Sequence, residues 1–215
     1  MELTSQHGNQ ITRGEFGQSL VSGEFESASL FYSISPKYVV RPVAYGKCSY
    51  EPETYFYLSD FHELLDGQPD VGLFCTMAAE LHIKSAAMFE SNKCSVPIHG
   101  KFGFHVTTHV GMFPQDNRWC NTWESFFAQG MRHILESASK THGISEELRT
   151  LVTDVIEKVV PRLLKPLETG GRSIRPTLIH GDFHRDNAKI DTDSKVPLVY
   201  DSGAFWGHNE CELYL

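Results

Sequence analysis

Two rhythms of apolar side chains divide this chain near residue 70. Before it, Val39-Val40-Arg41-Pro42-Val43-Ala44-Tyr45-Gly46 and Thr54-Tyr55-Phe56-Tyr57-Leu58 are β-branched and aromatic runs bounded by Gly, Pro and Ser, which predicts strands. Pro42 has no N–H to donate, so the first run should lie at a sheet edge or break there. Phe25, Ala28, Phe31 and Tyr32 make a short helical stripe that ends before Ser35-Pro36. Residues 1–22 carry no apolar period and are expected to be loose. Residues 23–66 then read as a small strand-bearing lobe, with Phe61 to Asp66 crossing to the rest.

After residue 70 the period is helical. Asp70 is a plausible N-cap for a helix with Phe74, Met77, Ala78 and Leu81 on one face. Ser95 to Asn117 is rich in Gly, Pro, His and Thr and reads as an irregular insertion. Asn121 with Glu124 resembles a capping box, followed by Trp123, Phe126, Phe127, Met131, Ile134 and Leu135 on one face. From Leu148 to Leu164 apolar residues repeat at spacings of 3 and 1, the pattern of a core helix, and Pro161 should kink it or end its regular part. Gly170-Gly171 breaks the pattern before a strand from Pro176 to His180.

The candidate chemistry lies just beyond that strand, in His180-Gly181-Asp182-Phe183-His184-Arg185-Asp186-Asn187 and Tyr200-Asp201. Asn187 stands five residues after Asp182, and Asp201 fourteen after Asn187. Ala188 to Ile190 reads as a strand, Asp191 to Lys195 as a turn, and Val196 to Tyr200 as the return strand. A hairpin about Ser194 would bring Asn187 and Asp201 side by side, two oxygen donors suited to a hard divalent cation. Asp182, one loop earlier, would be free to accept a proton from a hydroxyl. That set of groups is what phosphoryl transfer from a magnesium–nucleotide complex requires.

Composition narrows the classes. The 215 residues are 40% hydrophobic and 21% charged, enough to bury a core. A formal charge of −8 offers no electrostatic case for nucleic acid or an anionic membrane. No apolar run is long enough to span a bilayer, and the first residues lack the regions of a signal peptide. The five cysteines are irregularly spaced, which suggests reduced thiols and a cytoplasmic location.

The ordered motifs resemble the fructosamine/ketosamine-3-kinase (protein-ribulosamine 3-kinase) family, most of all its fungal-type members. They are Gly23-Glu24-Phe25-Glu26-Ser27, Pro42 to Gly46, Phe56 to Phe61, Ala79-Glu80-Leu81-His82, Gly100 to His105 and Pro114-Gln115-Asp116-Asn117. Trp123 to Phe127, His180-Gly181-Asp182, Tyr200-Asp201 and Gly207-His208-Asn209-Glu210 complete the set. The resemblance implies an α+β, protein-kinase-like (aminoglycoside-phosphotransferase-like) two-lobed fold. Residues 23–66 would be a partial N-lobe and hinge, and 67–215 a helical C-lobe with the catalytic hairpin. It implies ATP-dependent phosphorylation of a ketosamine sugar hydroxyl, acting on small ketosamines or glycated protein lysines. By that resemblance Asp182 is the catalytic base, Asn187 and Asp201 hold Mg2+, and Glu24 is the helix glutamate that orients phosphates through a strand lysine. Tyr57, Leu58, Ser59, Asp60 and Phe61 would carry the adenine. Phe104, His105, Gln115, Asn117 and Trp119 would line the substrate side, and His180 would brace the loop.

Two departures accompany the resemblance. No lysine precedes Glu24, and no glycine-rich phosphate loop is legible ahead of it. The chain also stops soon after Asp201, so the N-lobe is expected to be incomplete and the C-lobe short, as in a member truncated at both ends. A catalytically dead member acting as a binding module is the alternative. Gly181-Asp182 with Asp186, and Asp60-Phe61-His62, also fit pieces of a binuclear metallophosphoesterase. The 121 residues between those pieces and the missing Gly-Asn-His element argue against that chemistry.

Overall fold

The computed structural model of the protein describes residues 9–212. Three strands, β1 (Asn9–Arg13), β2 (Pro42–Lys47) and β3 (Thr54–Ser59), form an antiparallel sheet in the order β1-β3-β2. β2 lies at an edge, where Pro42 costs no ladder hydrogen bond. Helix α1 (Gly14–Ile34) follows β1 directly and joins the two halves of the molecule. Along one side it packs Val21 and Ala28 against Tyr55 and Tyr57. Its second half sends Leu30, Phe31 and Ile34 into the main core with Met77, Leu81, Leu178 and Trp206.

Residues 9–22 are therefore ordered, contrary to the loose segment expected over 1–22; residues 1–8 lie outside the described range. The buried face of α1 in this stretch is built from Gly17, Val21, Gly23 and Ser27 rather than large apolar residues. A Cβ on Gly17 would sit 2.7 Å from Thr12 Oγ1, and one on Gly23 would sit 2.5 Å from the Thr107 carbonyl oxygen. Close backbone approach selects small residues, and a small-residue stripe has no hydrophobic period to read.

The larger half is mainly helical. Helix α2 (Val71–Glu90) starts at Asp70, whose side chain accepts from the Gly72 and Leu73 N–H groups. It buries Phe74, Met77, Leu81, Ser85 and Ala86, with Ala78 partly buried beside them. The stretch expected to be irregular holds only a two-residue pair of strands, β4 (His109–Val110) and β5 (Phe113–Pro114). Helix α3 (Trp123–His142) is capped by Thr122, one residue later than expected: its hydroxyl accepts from the Ser125 N–H at 3.2 Å.

Helix α4 (Glu146–Asp154) runs into a π-helical turn over Val155–Val159 and then α5 (Val160–Leu164). Pro161 lacks an N–H, and the wider turn that precedes it is the disturbance its position predicted. The apolar stripe on this segment is not core. Ile156 and Val160 are buried, but Leu148, Leu151, Val155, Val159 and Leu163 are exposed. Periodicity marks which side of a helix is apolar, and among the described residues nothing covers most of this side.

Strand β6 (Thr177–Ile179) pairs with β9 (Phe205–Gly207), and β7 (Ala188–Ile190) pairs with β8 (Pro197–Val199). The crossing segment lies along the second pair. Leu65 N–H donates to the Ile190 carbonyl at 2.8 Å, and Thr192 N–H to the Glu63 carbonyl at 2.8 Å. All five cysteines are free. Among the described residues no helix is long and apolar enough to cross a membrane.

Candidate functional site

The hairpin forms as its sequence suggests. Asp191 closes the turn by accepting from Ser194 N–H at 2.7 Å, and Lys195 takes a left-handed φ of 59°. The Ser194 hydrogen bonds, helped by His62 Nδ1 at 3.0 Å, hold the Asp191 carboxyl down at about 2. At the open end Tyr200 N–H donates to the Asn187 carbonyl at 3.2 Å, so Asn187 and Asp201 flank one mouth. Asp201 also has a left-handed φ of 59°, which aspartate tolerates better than most residues.

Asp182 sits in the turn after β6. Gly181 takes a φ of 84°, and a side chain there would strike the Gly203 carbonyl. Asn187 Nδ2 donates both to the Asp182 carbonyl and to Asp182 Oδ2, each at 3.0 Å. With both amide hydrogens facing Asp182, the Asn187 side-chain oxygen is turned away from it. His184 Nε2 lies 3.6 Å from the other carboxylate oxygen. Asp182, the Asn187 amide and the hairpin mouth are thus one hydrogen-bonded unit.

His180 is buried between the rings of Phe31 and Phe183, with the Tyr200 backbone close by. Burial pulls its pKa down, which keeps the imidazole neutral. Its position is that of a brace between the Asp182 loop and the hairpin. Buried Glu212 was not anticipated: it accepts from the His180 and Gly181 N–H groups at 2.5 and 3.2 Å and faces His82 at 3.4 Å. Nothing in the local sequence marks it, because its partners lie more than 30 residues away.

The upper lobe meets the mouth through α1. Desolvation first, then the Asp201 charge, push the Glu24 carboxyl up to about 8, and a hydrogen bond from Gln10 partly opposes them. Tyr57 hydrogen-bonds Ser59, and burial together with the Glu24 and Asp201 charges raises its pKa. Ser27, one turn beyond Glu24, accepts from Ala204 N–H at 3.1 Å and ties the helix to the segment carrying Asp201. Gln10 was also missed. It stands on β1 opposite Tyr57, on the strand that enters α1, where the resemblance calls for a lysine.

The other expected residues divide. Leu58 lies exposed on β3, and Phe61 is 73% exposed beyond it. Asp60 makes a two-pronged pair with Arg41 at 2.7 and 2.9 Å, so its carboxylate is committed to the hinge. Phe104, His105, Gln115, Asn117 and Trp119 line one depression of 660 Å³. Within it Phe104 is buried core, and His105 Nε2 is held by Glu26 at 3.0 Å. Asn117 bonds the Thr108 hydroxyl at 2.6 Å, and Trp119 crosses His99 edge to face. Gln115 donates to the Gly203 carbonyl at 2.7 Å. A separate apolar groove of 670 Å³ opens beside Asp182 and His184, walled by Phe127, Met131 and Ile134 of α3 and reached by Gln115 and Asn117.

Asp182 held by the Asn187 amide, Asp201 across the hairpin mouth and Glu24 on α1 make up the candidate site, and comparison with known proteins places the chain that carries it. The fructosamine kinase sequence profile matches residues 24–215. The chain belongs to the fructosamine kinase family. Among relatives of this family, mouse ketosamine-3-kinase is 30% identical over 151 residues, which is 64% of this chain and 46% of the mouse protein. A chloroplastic protein-ribulosamine 3-kinase of rice (Oryza sativa subsp. indica) is 27% identical over 203 residues, 94% of this chain and 53% of the rice protein. The chain thus spans about half the length of these curated relatives. The fold is shared with a Haemophilus somnus protein assigned as a fructosamine-3-kinase: TM-score 0.66, 18% identity, 95% of this chain and 61% of the other. It is also shared with a thermostable mutant of the aminoglycoside phosphotransferase APH(4)-Ia: TM-score 0.57, 15% identity, 99% of this chain and 69% of the other. The protein-kinase-like α+β fold expected from the sequence is thereby established.

Proposed function

We propose that this fructosamine kinase family member transfers the γ-phosphate of ATP to the C3 hydroxyl of a ketosamine, a fructosamine or ribulosamine that is free or carried on protein lysines. Phosphorylation there makes the adduct prone to eliminate and release the amine, so the biological consequence is deglycation. The observation that carries the reading is the Asn187 amide bridging to Asp182 at the mouth of the hairpin. The names of its relatives point to the same acceptor.

Asp182 is the base in this reading. Oδ2 is engaged by Asn187, so Oδ1, on the His184 side, is the atom to receive the hydroxyl proton. The acceptor enters from the 670 Å³ groove, with Gln115 and Asn117 at its rim. Phe104, His105 and Trp119 shape the neighbouring wall. Adenine lies along Tyr57 to Phe61, beneath the sheet. Asn187 and Asp201 are the donors for Mg2+. Among the described residues no group of three or more His, Cys, Asp or Glu forms a metal cage. One carboxylate, one amide oxygen and the nucleotide phosphates are a donor set that suits magnesium. Bound there, the ion would offset charge on the transferring phosphate. Residues 23–66 and 67–212 act as the two jaws of the cleft.

Transfer of labelled phosphate from ATP to fructosyl-lysine or ribulosyl-lysine tests this. The parent protein should phosphorylate one of them, and Asp182→Ala should lower turnover by about 10²–10⁴-fold while Mg-ATP still binds. Full activity in Asp182→Ala would end the assignment. Nucleotide binding without transfer in the parent would favour the binding-module alternative, for which Gln10 in a lysine's place is the motivating observation.

A further inference from the structure

The Asp182 loop and the segment from Asp201 to Ala204 are tied by a knot of neutral side chains from the insertion between α2 and α3. Asp201 takes a left-handed φ of 59°, a backbone state that a residue other than glycine keeps where its surroundings hold it. Two residues on, the chain is fastened. Gln115 Nε2 donates to the Gly203 carbonyl at 2.7 Å and to the Thr108 hydroxyl at 3.0 Å. Thr108 Oγ1 donates to the Ala204 carbonyl at 3.1 Å and accepts from Asn117 Nδ2 at 2.6 Å. Thr108 and Asn117 are buried. Both hydrogens of the Gln115 amide and the one hydroxyl hydrogen of Thr108 are thus spent on this knot. The Gly203 carbonyl also lies against Gly181, the residue before Asp182, where a Cβ would strike it. On the other side, a Cβ on Gly203 would strike the His109 carbonyl. The Asp201 segment is therefore wedged between the Asp182 loop and the insertion, and Gln115 touches the wedge.

We infer that Gln115 and Thr108 are positioning residues that set the Asp201 segment against the Asp182 loop, so that their loss is felt at the metal and not at the acceptor. The inference rests on the phosphotransferase reading above, in which Asp201 holds Mg2+ and Asp182 takes the proton. Gln115 lines the acceptor groove, and position alone would make it a substrate contact. Its amide hydrogens point the other way, into the knot. Without them two main-chain carbonyls beside Asp201 lose their partners, and the left-handed turn is free to relax. Magnesium demands near-ideal ligand geometry, so a small shift of the Asp201 carboxylate costs metal affinity. The groove wall of Phe127, Met131 and Ile134 stands on α3 and keeps its place.

The test compares the parent with Thr108→Val, Thr108→Ser and Gln115→Met. ATP binding is measured across a magnesium titration, and transfer is measured at varied fructosyl-lysine or ribulosyl-lysine, whichever the parent uses. Thr108→Val and Gln115→Met should raise the magnesium needed for half-maximal ATP binding by about 10–100-fold and lower kcat, with the acceptor KM unchanged. Thr108→Ser restores the hydroxyl and should behave as the parent. A merely structural role would lower the melting temperature and leave the magnesium requirement of the folded protein where it was, and that result overturns the inference. So does an acceptor KM that rises while the magnesium requirement stays, or a Thr108→Ser as impaired as Thr108→Val. Each of these leaves the phosphotransferase reading standing if the parent transfers phosphate. Should Thr108→Val fail to fold, Gln115→Met decides, because Gln115 is partly exposed. A parent that binds Mg-ATP without transfer ends the phosphotransferase reading, and the magnesium titration of binding still decides the inference. A parent that binds no Mg-ATP overturns both.

Discussion

Asn187 spends both hydrogens of its side-chain amide on Asp182, one on the main-chain carbonyl and one on Oδ2, each at 3.0 Å. One residue therefore sets the rotamer of Asp182 and closes the turn that carries it. Asn187→Ala removes both bonds together with the metal donor proposed above. It should lower turnover by about two orders of magnitude and raise the magnesium concentration needed for half-maximal activity. Asn187→Asp keeps an oxygen for the metal but sets a like charge against Asp182, so it should not rescue turnover. A magnesium titration of both variants checks this, and full rescue by Asn187→Asp would contradict it.

Glu212 receives two main-chain N–H groups of the Asp182 loop in a buried position. Hydrogen bonds to a charged group contribute about 1.5–3 kcal/mol each. Glu212→Ala should therefore cost on the order of 3 kcal/mol in urea unfolding, with Glu212→Gln between it and the parent. A loss below about 0.5 kcal/mol would mean that other groups hold the loop.

The pH dependence of stability has a definite sign at Glu24. Its carboxyl ionises near the ordinary 4.5 in the unfolded chain and at about 8 in the folded protein. Between those values the unfolded chain releases a proton that the folded state keeps, so this group lowers stability as pH rises from about 4.5 toward 8. Glu24→Gln removes that slope and should gain stability relative to the parent between pH 5 and pH 8.5, a range that follows from the same shift. Urea titrations at several pH values measure it, and a variant whose relative stability falls over the range would refute it.

Gly181 has a left-handed φ of 84°, and a side chain there meets the Gly203 carbonyl, a backbone atom that cannot swing away. Gly181→Ala should destabilise the protein by about 1–3 kcal/mol and depress turnover further than the stability loss explains, because Asp182 is the next residue. Thermal melting with activity normalised to the folded fraction separates the two effects. An unchanged melting temperature would show that the loop adapts.

The parts of this architecture legible in the sequence are the local ones. The hairpin from Ala188 to Tyr200 declares itself through its turn residues, and its own ladder sets Asn187 beside Asp201. The start of α2 at Asp70 and the disturbance before Pro161 are equally short-range. What escaped depends on contact across the fold. The first half of α1 is packed through Gly17, Gly23 and Ser27, where closeness of backbones replaces apolar bulk. The stripe from Leu148 to Leu164 was misjudged because amphipathicity names a face without naming its cover. Gln10 and Glu212 have ordinary local surroundings and acquire their roles only through Glu24 and the His180–Gly181 backbone.

The crossing segment is stitched to the hairpin by main-chain bonds at Leu65 and Thr192 and by the His62–Asp191 pair. Segment and hairpin are consequently fastened to each other along their length, and the Arg41–Asp60 clasp lies just upstream of that seam. Cutting that clasp should loosen the strand-bearing half while Asn187 and Asp201 keep their places at the hairpin mouth.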